Sequence, residues 1–282
     1  MLKWKIGDTT ITQVLEICDG SGSLPLLPDA TPEALKEIEW LEPNFVTKEG
    51  YLILNIQMLI IETPSRKMVV DTCIGNDKNL NMEGWANLQL PFLEDLENLG
   101  HDVASVDTVI CTHLHVDHVG WNTRKVGNRW VPTFPNARYL MVEKEYEFWR
   151  DLEEDPFGDV FGESVAPIFD AGVADFVDSN HVVGDGISFE STPGHTPGHI
   201  SVNIESNGEK AVISGDMMHH PCQIAKPEWV TPFDSDSDAA LETRKAFLEK
   251  YADQPVLILG THFANPVAGR IVRDGDTYRF NV

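Results

Sequence analysis

Cysteine is scarce in this chain of 282 residues, and Cys18, Cys73, Cys111 and Cys222 lie far apart with no C-x-x-C pair among them. Neither a zinc ribbon nor a disulfide framework can be read from such spacing, so reduced thiols in a cytoplasmic protein are the expectation. Positive charge is also in short supply. With 21 Lys and Arg against 45 Asp and Glu, the formal net charge is -24, and a nucleic acid would have to overcome that field before meeting any local patch. Long hydrophobic runs are missing too. Met58 to Ile61 and Val256 to Leu259 are strand-sized, far below the roughly 20 residues of a membrane span. Met1 to Thr10 turns polar without the apolar stretch of a secretory signal. There is no evident repeat and no Pro/Gly/Ser-rich linker. Nucleic-acid binding, membrane association and export are therefore not expected.

What is present is an ordinary globular composition, 42% hydrophobic and 23% charged. A chain of this length can bury about 75% of its unfolded surface. β-branched runs recur between turns and helical segments: Asn55 to Glu62, Lys67 to Val70, Val106 to Thr112, Ala137 to Val142, Ile187 to Ser191, Ile200 to Glu205, Lys210 to Ser214 and Pro255 to Gly260. Helices are predicted after Thr31-Pro32-Glu33, over Leu90 to Leu99 before Gly100, and from Asp234 to Asp238 onward with Leu241, Leu248 and Tyr251 on one face. The reading is mixed α/β, a single domain spanning 1–282 and built of two sheet-and-helix halves. Three longer irregular segments, Cys18 to Ala30, Ile74 to Gln89 and Glu153 to Asn180, are of the kind that borders sites.

The chemistry concentrates in Thr112 to Gly120, THLHVDHVG, directly after an apolar strand. In an extended segment His113 and His115 project to one side and can reach a single ion at about 2.0 to 2.1 Å. Asp117 and His118, beyond the turn, point elsewhere and can serve a second. This run alone cannot complete a coordination sphere, so further ligands are expected at later strand ends. His195 in PGHTPG, Asp216 in SGD and His262 in GTH each follow a predicted strand. Two divalent cations would also supply the local positive charge that the composition lacks.

The H-x-H-x-D-H run with the later Gly-His-Thr-Pro-Gly, Gly-Asp and Gly-Thr-His resembles the metallo-β-lactamase superfamily over roughly Asn55 to His262. The resemblance implies an α/β four-layer αβ/βα sandwich with a dinuclear site. It further implies His113, His115 and His195 on one metal, Asp117, His118 and His262 on the other, and Asp216 bridging them. Asp71, at the end of Met68-Val-Val-Asp, matches the family's aspartate that orients a ligating histidine; its alternative is a helix or turn cap. The ions expected are zinc, with manganese, iron or cobalt as alternatives.

Departures among the branches bear on the substrate. Many β-lactamases of this fold carry Cys or Ser where Asp216 stands, which disfavours β-lactams. The 20 residues after His262 leave no room for a glyoxalase II helical domain, and flavodiiron proteins commonly carry Glu in place of His115. What remains resembles the N-acyl-homoserine lactonases and the methyl parathion hydrolases, the latter sharing His three residues after the bridging Asp. The implied activity is hydrolysis of a small uncharged or weakly charged ester, lactone or aryl phosphotriester by a hydroxide shared between two metals, in keeping with quorum quenching. Asp117 could pass a proton, and His219 could donate a hydrogen bond to the substrate's oxygen or be a structural histidine. Trp121 and Phe263, each close in sequence to a ligand, are the best candidates for substrate contacts. A mononuclear iron oxidoreductase resembling persulfide dioxygenases is the competing reading, with β-lactam hydrolysis and a catalytically idle binding module behind it. A homodimer is the prior for assembly.

Overall fold

The computed structural model describes residues 1–282, and the chain divides into two units. The first comprises Met1–Glu16 and Ile56–Asp178, the second Ile17–Asn55 and Ser179–Val282.

The sheet of the first unit is built from β1 (Lys3–Ile6), β2 (Thr9–Asp19), β3 (Leu54–Glu62), β4 (Lys67–Val70), β5 (Thr108–Ile110), β8 (Arg138–Val142) and β9 (Ala174–Val177), hydrogen-bonded in that order. A separate hairpin, β6 (Thr123–Val126) and β7 (Arg129–Pro132), turns at Gly127, whose φ is +61°. Strand β3 is buried along nearly its whole length. Its second half, Met58–Ile61, has no exposed face and is continuously apolar, while the buried amides of Gln57 and Asn55 in its first half are hydrogen-bonded to Gln13 and to Phe263 O. From β4 onward the pairings are parallel, with Met68 opposite Thr108 and Thr108 opposite Arg138. Parallel neighbours need a crossover. Residues 71–107 supply it between β4 and β5 and contain the helix Phe92–Asn98.

The second unit carries β10 (Val182–Gly184), β11 (Ile187–Ser191), β12 (Ile200–Ser206), β13 (Glu209–Ile213), β14 (Val256–Leu259), β15 (Ala268–Asp274) and β16 (Thr277–Asn281), again in chain order. Only β13 and β14 are parallel, with Ala211 opposite Leu257. Their crossover contains the helix Ser237–Tyr251, whose first turn is capped by the Asp236 side chain accepting from Ala239 N–H. Its buried face is Ala240, Arg244, Phe247, Leu248 and Tyr251. Leu241, expected on that face, is half-buried, and a guanidinium occupies the stripe instead. Phe247 and Leu248 join Phe45, Ile258, Phe263, Ile271 and Phe280 in the apolar core of this unit, each contributing about 1.5 to 3 kcal/mol by burial.

Every strand predicted from β-branched runs is present, within a few residues at each end. The hairpins β1–β2, β6–β7 and β15–β16 were not foreseen, because their strands mix polar and charged residues with apolar ones. The segment Glu153 to Asn180, expected to be irregular, contains a π-helical turn at Phe161–Val165, the helix Ala166–Asp170 and β9.

Candidate metal centre

Donor residues follow strand ends in both units. In the first, β5 ends at Ile110, and His113 and His115 follow in a bend before the short helix Val116–Val119, which carries Asp117 and His118 and brings the His118 ring to 4.0 Å from that of His113. This turn is braced by the segment after β4. Thr72 N–H donates to His118 O at 2.6 Å, Gly120 N–H to Cys73 O at 2.7 Å, and Trp121 N–H to Thr72 O at 2.8 Å. Glycine is required at 120 because a Cβ there would lie 1.7 Å from Ile74 O.

Hydrogen bonds fix which ring nitrogens are acceptors. Asp71, in the left-handed region at φ +53°, accepts from Thr112 N–H through Oδ1 at 2.8 Å. Its Oδ2 accepts from the Thr112 hydroxyl and from His118 Nδ1, both at 2.8 Å. A carboxylate only accepts, so the His118 proton sits on Nδ1 and Nε2 is left as the acceptor nitrogen. Thr112 has given its proton to Asp71, so its oxygen, 3.0 Å from His113 Nδ1, accepts from that ring. His113 Nε2 is thereby an acceptor as well. It faces His115 Nδ1 at 3.0 Å.

The second unit repeats this arrangement. His195 Nδ1 donates to Asp234 Oδ1 at 2.9 Å, and His262 Nδ1 donates to Asn55 O at 2.8 Å. In both rings Nε2 is again the acceptor. Asp216 Oδ2 lies 3.1 Å from His262 Nε2, 3.3 Å from His219 Nε2 and 3.7 Å from His195 Nε2. A carboxylate oxygen facing the acceptor nitrogen of a neutral imidazole is repulsive unless a cation lies between them. The separations to His262 and His219 fall within the roughly 3.0 to 3.4 Å edges of a coordination sphere with 2.0 to 2.1 Å bonds, and that to His195 is a few tenths of an ångström longer. These donors therefore fit divalent metal ions, and the chain carries a His/Asp cluster of the metal-binding kind.

Two residues that sequence reasoning set aside or missed support Asp216 and His195. His199, which no sequence motif singled out, accepts the Asp216 backbone N–H at Nε2, 2.9 Å away, while its Nδ1 donates to Thr192 O at 3.0 Å. Gly215, at φ +58°, allows this approach, since a Cβ would fall 2.5 Å from His199 Nε2. Asp234, noted in the sequence only as the start of a helix signal, is the counterpart of Asp71. Burial raises its carboxyl above the ordinary range, opposed by the nearby His219 and Arg244.

Two expected substrate contacts lie elsewhere. Trp121 is 3% exposed, stacks on Phe92 with centroids 5.6 Å apart, and donates its indole N–H to Glu16. Phe263 is fully buried against Phe280. Despite their nearness in sequence to a proposed ligand, both rings are turned into their cores. The rings that do meet a donor are Trp149 and Phe157, edge-on to His115 at 5.0 and 6.2 Å. Trp149 is held by its indole N–H donating to Glu145, which also accepts from Leu114 N–H. Both rings are half-buried. Glu16, another residue the sequence did not single out, accepts from Ile74 and Gly75 N–H and from Trp121, and burial pushes it up to about 7. His220 donates to Phe45 O from a fully buried position, where desolvation lowers it to about 4. It is a neutral structural ring.

The family model described as Metallo-beta-lactamase superfamily matches residues 54–262, and the chain belongs to that superfamily. It has the metallo-β-lactamase fold. Metallo-beta-lactamase domain-containing protein 1 of Xenopus laevis is 31% identical over 162 residues, which span 57% of this chain and 57% of that protein. An N-acyl homoserine lactonase of Bacillus sp is 25% identical over 230 residues, 76% of this chain and 84% of that one. Among solved structures, AbOPH, a hydrolase in the beta lactamase superfamily, is similar with a TM-score of 0.79 and 25% identity, covering 99% of this chain and 96% of that one. AidC, a dizinc quorum-quenching lactonase solved with the product N-hexnoyl-L-homoserine, has a TM-score of 0.78 and 23% identity at the same coverage. No helix of this chain is long and apolar enough to cross a membrane.

Proposed function

We propose that the chain is a dinuclear metal hydrolase of lactones or esters, with acyl-homoserine lactones and aryl esters as the first substrates to test. His113, His115 and His195 would hold one ion, Asp117, His118 and His262 the other, with Asp216 shared and zinc the expected metal. The observation that carries this reading is the set of fixed tautomers. Four imidazoles commit Nδ1 to oxygen acceptors and present Nε2, and three of those nitrogens face a carboxylate oxygen. The lactonases among the relatives support the choice of substrate class.

Bound divalent ions would lower the pKa of coordinated water toward 7 and polarise a carbonyl, so no side-chain nucleophile is needed. The chain's own residues orient and exclude. Asp71 and Asp234 hold His118 and His195 in their tautomers. Asp117, with 14% of its side chain exposed, is the donor placed to take up or release a proton at its carboxylate. His219 is 2% exposed with Nε2 toward Asp216, which favours holding Asp216 over reaching a substrate. Trp149 and Phe157 replace Trp121 and Phe263 as the apolar wall, beside His115.

Elemental analysis of the purified enzyme, followed by kcat/KM across lactones, aryl esters, phosphotriesters and β-lactams, tests the proposal. Two ions per chain with lactone or ester turnover leading the panel is the expected result. One iron per chain with oxygen consumption on a thiol substrate, or β-lactams leading the panel, would replace it.

A further inference from the structure

Arg244 is the largest fully buried side chain of the protein, yet it makes no direct ion pair. Its Nε donates to Met217 O at 3.0 Å, and Nη1 donates to Pro227 O at 2.6 Å and Trp229 O at 3.2 Å. Met217 directly follows Asp216. Trp229 O also accepts from Gln223 Nε2 at 2.9 Å, while Gln223 Oε1 accepts from His219 N–H at 2.7 Å. One guanidinium thus closes the segment that carries Asp216 and His219.

The helix bearing Arg244 also mounts the other donor loop of this unit. Thr243, its neighbour, donates to Pro193 O at 2.6 Å. Ser235 and Asp236 N–H donate to His195 O and Gly194 O at 2.8 and 3.0 Å. Gly194 lies so close that a Cβ there would fall 2.2 Å from Ala240 N. His195 and Asp216, which belong to different strand ends, are therefore tied to adjacent residues of one helix.

Packing alone does not account for an arginine here. Burying a guanidinium is costly, and methionine would fill most of the volume without that cost. The planar fork is suited to gathering several spread carbonyls at once, which methionine cannot do and lysine, with its donors on one atom, does less well. Its charge also opposes the burial of Asp234, the carboxylate behind His195, although Arg244 Nη2 and Asp234 Oδ2 each lack a direct hydrogen-bond partner.

We propose that Arg244 is a positioning residue for the metal centre, fixing the spacing of Asp216 and His195 by holding the Met217, Pro227 and Trp229 carbonyls against the helix that also carries the His195 loop. The inference rests on the metal reading above. The test compares wild type, Arg244→Met and Arg244→Lys by metal content, by zinc release to a chromophoric chelator, by the visible spectrum of the cobalt(II)-loaded enzyme and by Tm of the metal-free protein.

Arg244→Met should lose metal affinity by about 10- to 100-fold, with a displaced cobalt spectrum and a fall in kcat larger than the change in KM. Arg244→Lys, which keeps the charge but reaches fewer carbonyls, should fall between. Wild-type chelator and cobalt behaviour in both variants, even with a lowered Tm, makes Arg244 a packing residue and overturns the proposal. Should Arg244→Met fail to fold, Arg244→Lys decides alone, and wild-type metal retention in it overturns the proposal equally. A wild-type enzyme that takes up no metal removes the metal reading itself, and the proposal with it.

Discussion

Replacing Asp71 by asparagine changes almost no volume but reverses the polarity of one contact. The amide oxygen can still accept from Thr112 N–H, as Oδ1 does at 2.8 Å. The amide nitrogen must then take the place of Oδ2, which accepts from both the Thr112 hydroxyl and His118 Nδ1. Two hydrogen bonds to a charged group are lost, each worth about 1.5 to 3 kcal/mol. The larger consequence falls on His118. An amide N–H facing Nδ1 makes that nitrogen the acceptor and moves the ring proton to Nε2, the nitrogen proposed to bind metal. A loss of about 10- to 100-fold in metal affinity follows, or about 1.4 to 2.7 kcal/mol. Asp71→Ala leaves Thr112 N–H and its hydroxyl without their acceptor, but it lets His118 choose its tautomer. The expected order is therefore crossed, with alanine lower than asparagine in Tm of the metal-free protein and higher in metal retention. Chelator competition and thermal unfolding on both variants measure it. If asparagine retains metal like wild type, or alanine retains less than asparagine, the tautomer argument fails.

Lys78 gives a pH-dependent test. Its ammonium is buried, donating to Thr123 Oγ1 and Glu163 O and lying 3.7 Å over the Trp130 ring, and burial holds it down to about 7 against an ordinary 10.5. Between those values the unfolded chain binds more protons, so stability rises with pH. Over the full window the shift corresponds to about 5 kcal/mol, of which roughly 3 to 4 falls between pH 7 and 10. Wild type should therefore gain about 3 kcal/mol on Lys78→Met between pH 7 and 10, and a difference that stays flat across that range refutes the assignment. His219→Ala should weaken metal retention along with turnover, since Nε2 faces Asp216; unchanged retention with lost turnover would instead return His219 to a substrate-facing role. Trp149→Ala should raise KM for long-chain acyl lactones several-fold while short-chain substrates change little. An equal effect on both chain lengths would remove Trp149 from the acyl wall.

The donors were legible because each sits on a short motif directly after an apolar strand, and the end of a strand fixes where such a motif projects. The strands themselves were legible for the same reason, being buried and β-branched. Asp234, His199, Glu16 and Arg244 escaped because their partners are distant in sequence: 39 residues separate Asp234 from His195 and 17 separate His199 from Asp216. No local pattern marks such a pairing. Arg244 was further masked by its charge, since an arginine on a helix is ordinarily a solvated residue. Trp121 and Phe263, expected at the substrate but buried in the cores, show the opposite case. Nearness along the chain to His118 and His262 was taken for nearness to substrate, whereas Trp149, 34 positions after His115, reaches that ring from a different helix.

Gly120 contributes no metal-ligating atom, no charge and no surface, yet the two loops cross where its side chain would be, with Ile74 O only 1.7 Å from any Cβ. In a saturation library scored by growth or turnover, this position would behave like a ligand: every replacement would read as loss of function. Such a scan ranks positions by intolerance and cannot separate a residue that performs chemistry from one that merely leaves room for it. Metal content measured beside Tm would separate them. A ligand variant gives up its ion from an intact fold, whereas a Gly120 variant must first push the Thr72–Ile74 segment aside and should lose stability and metal together.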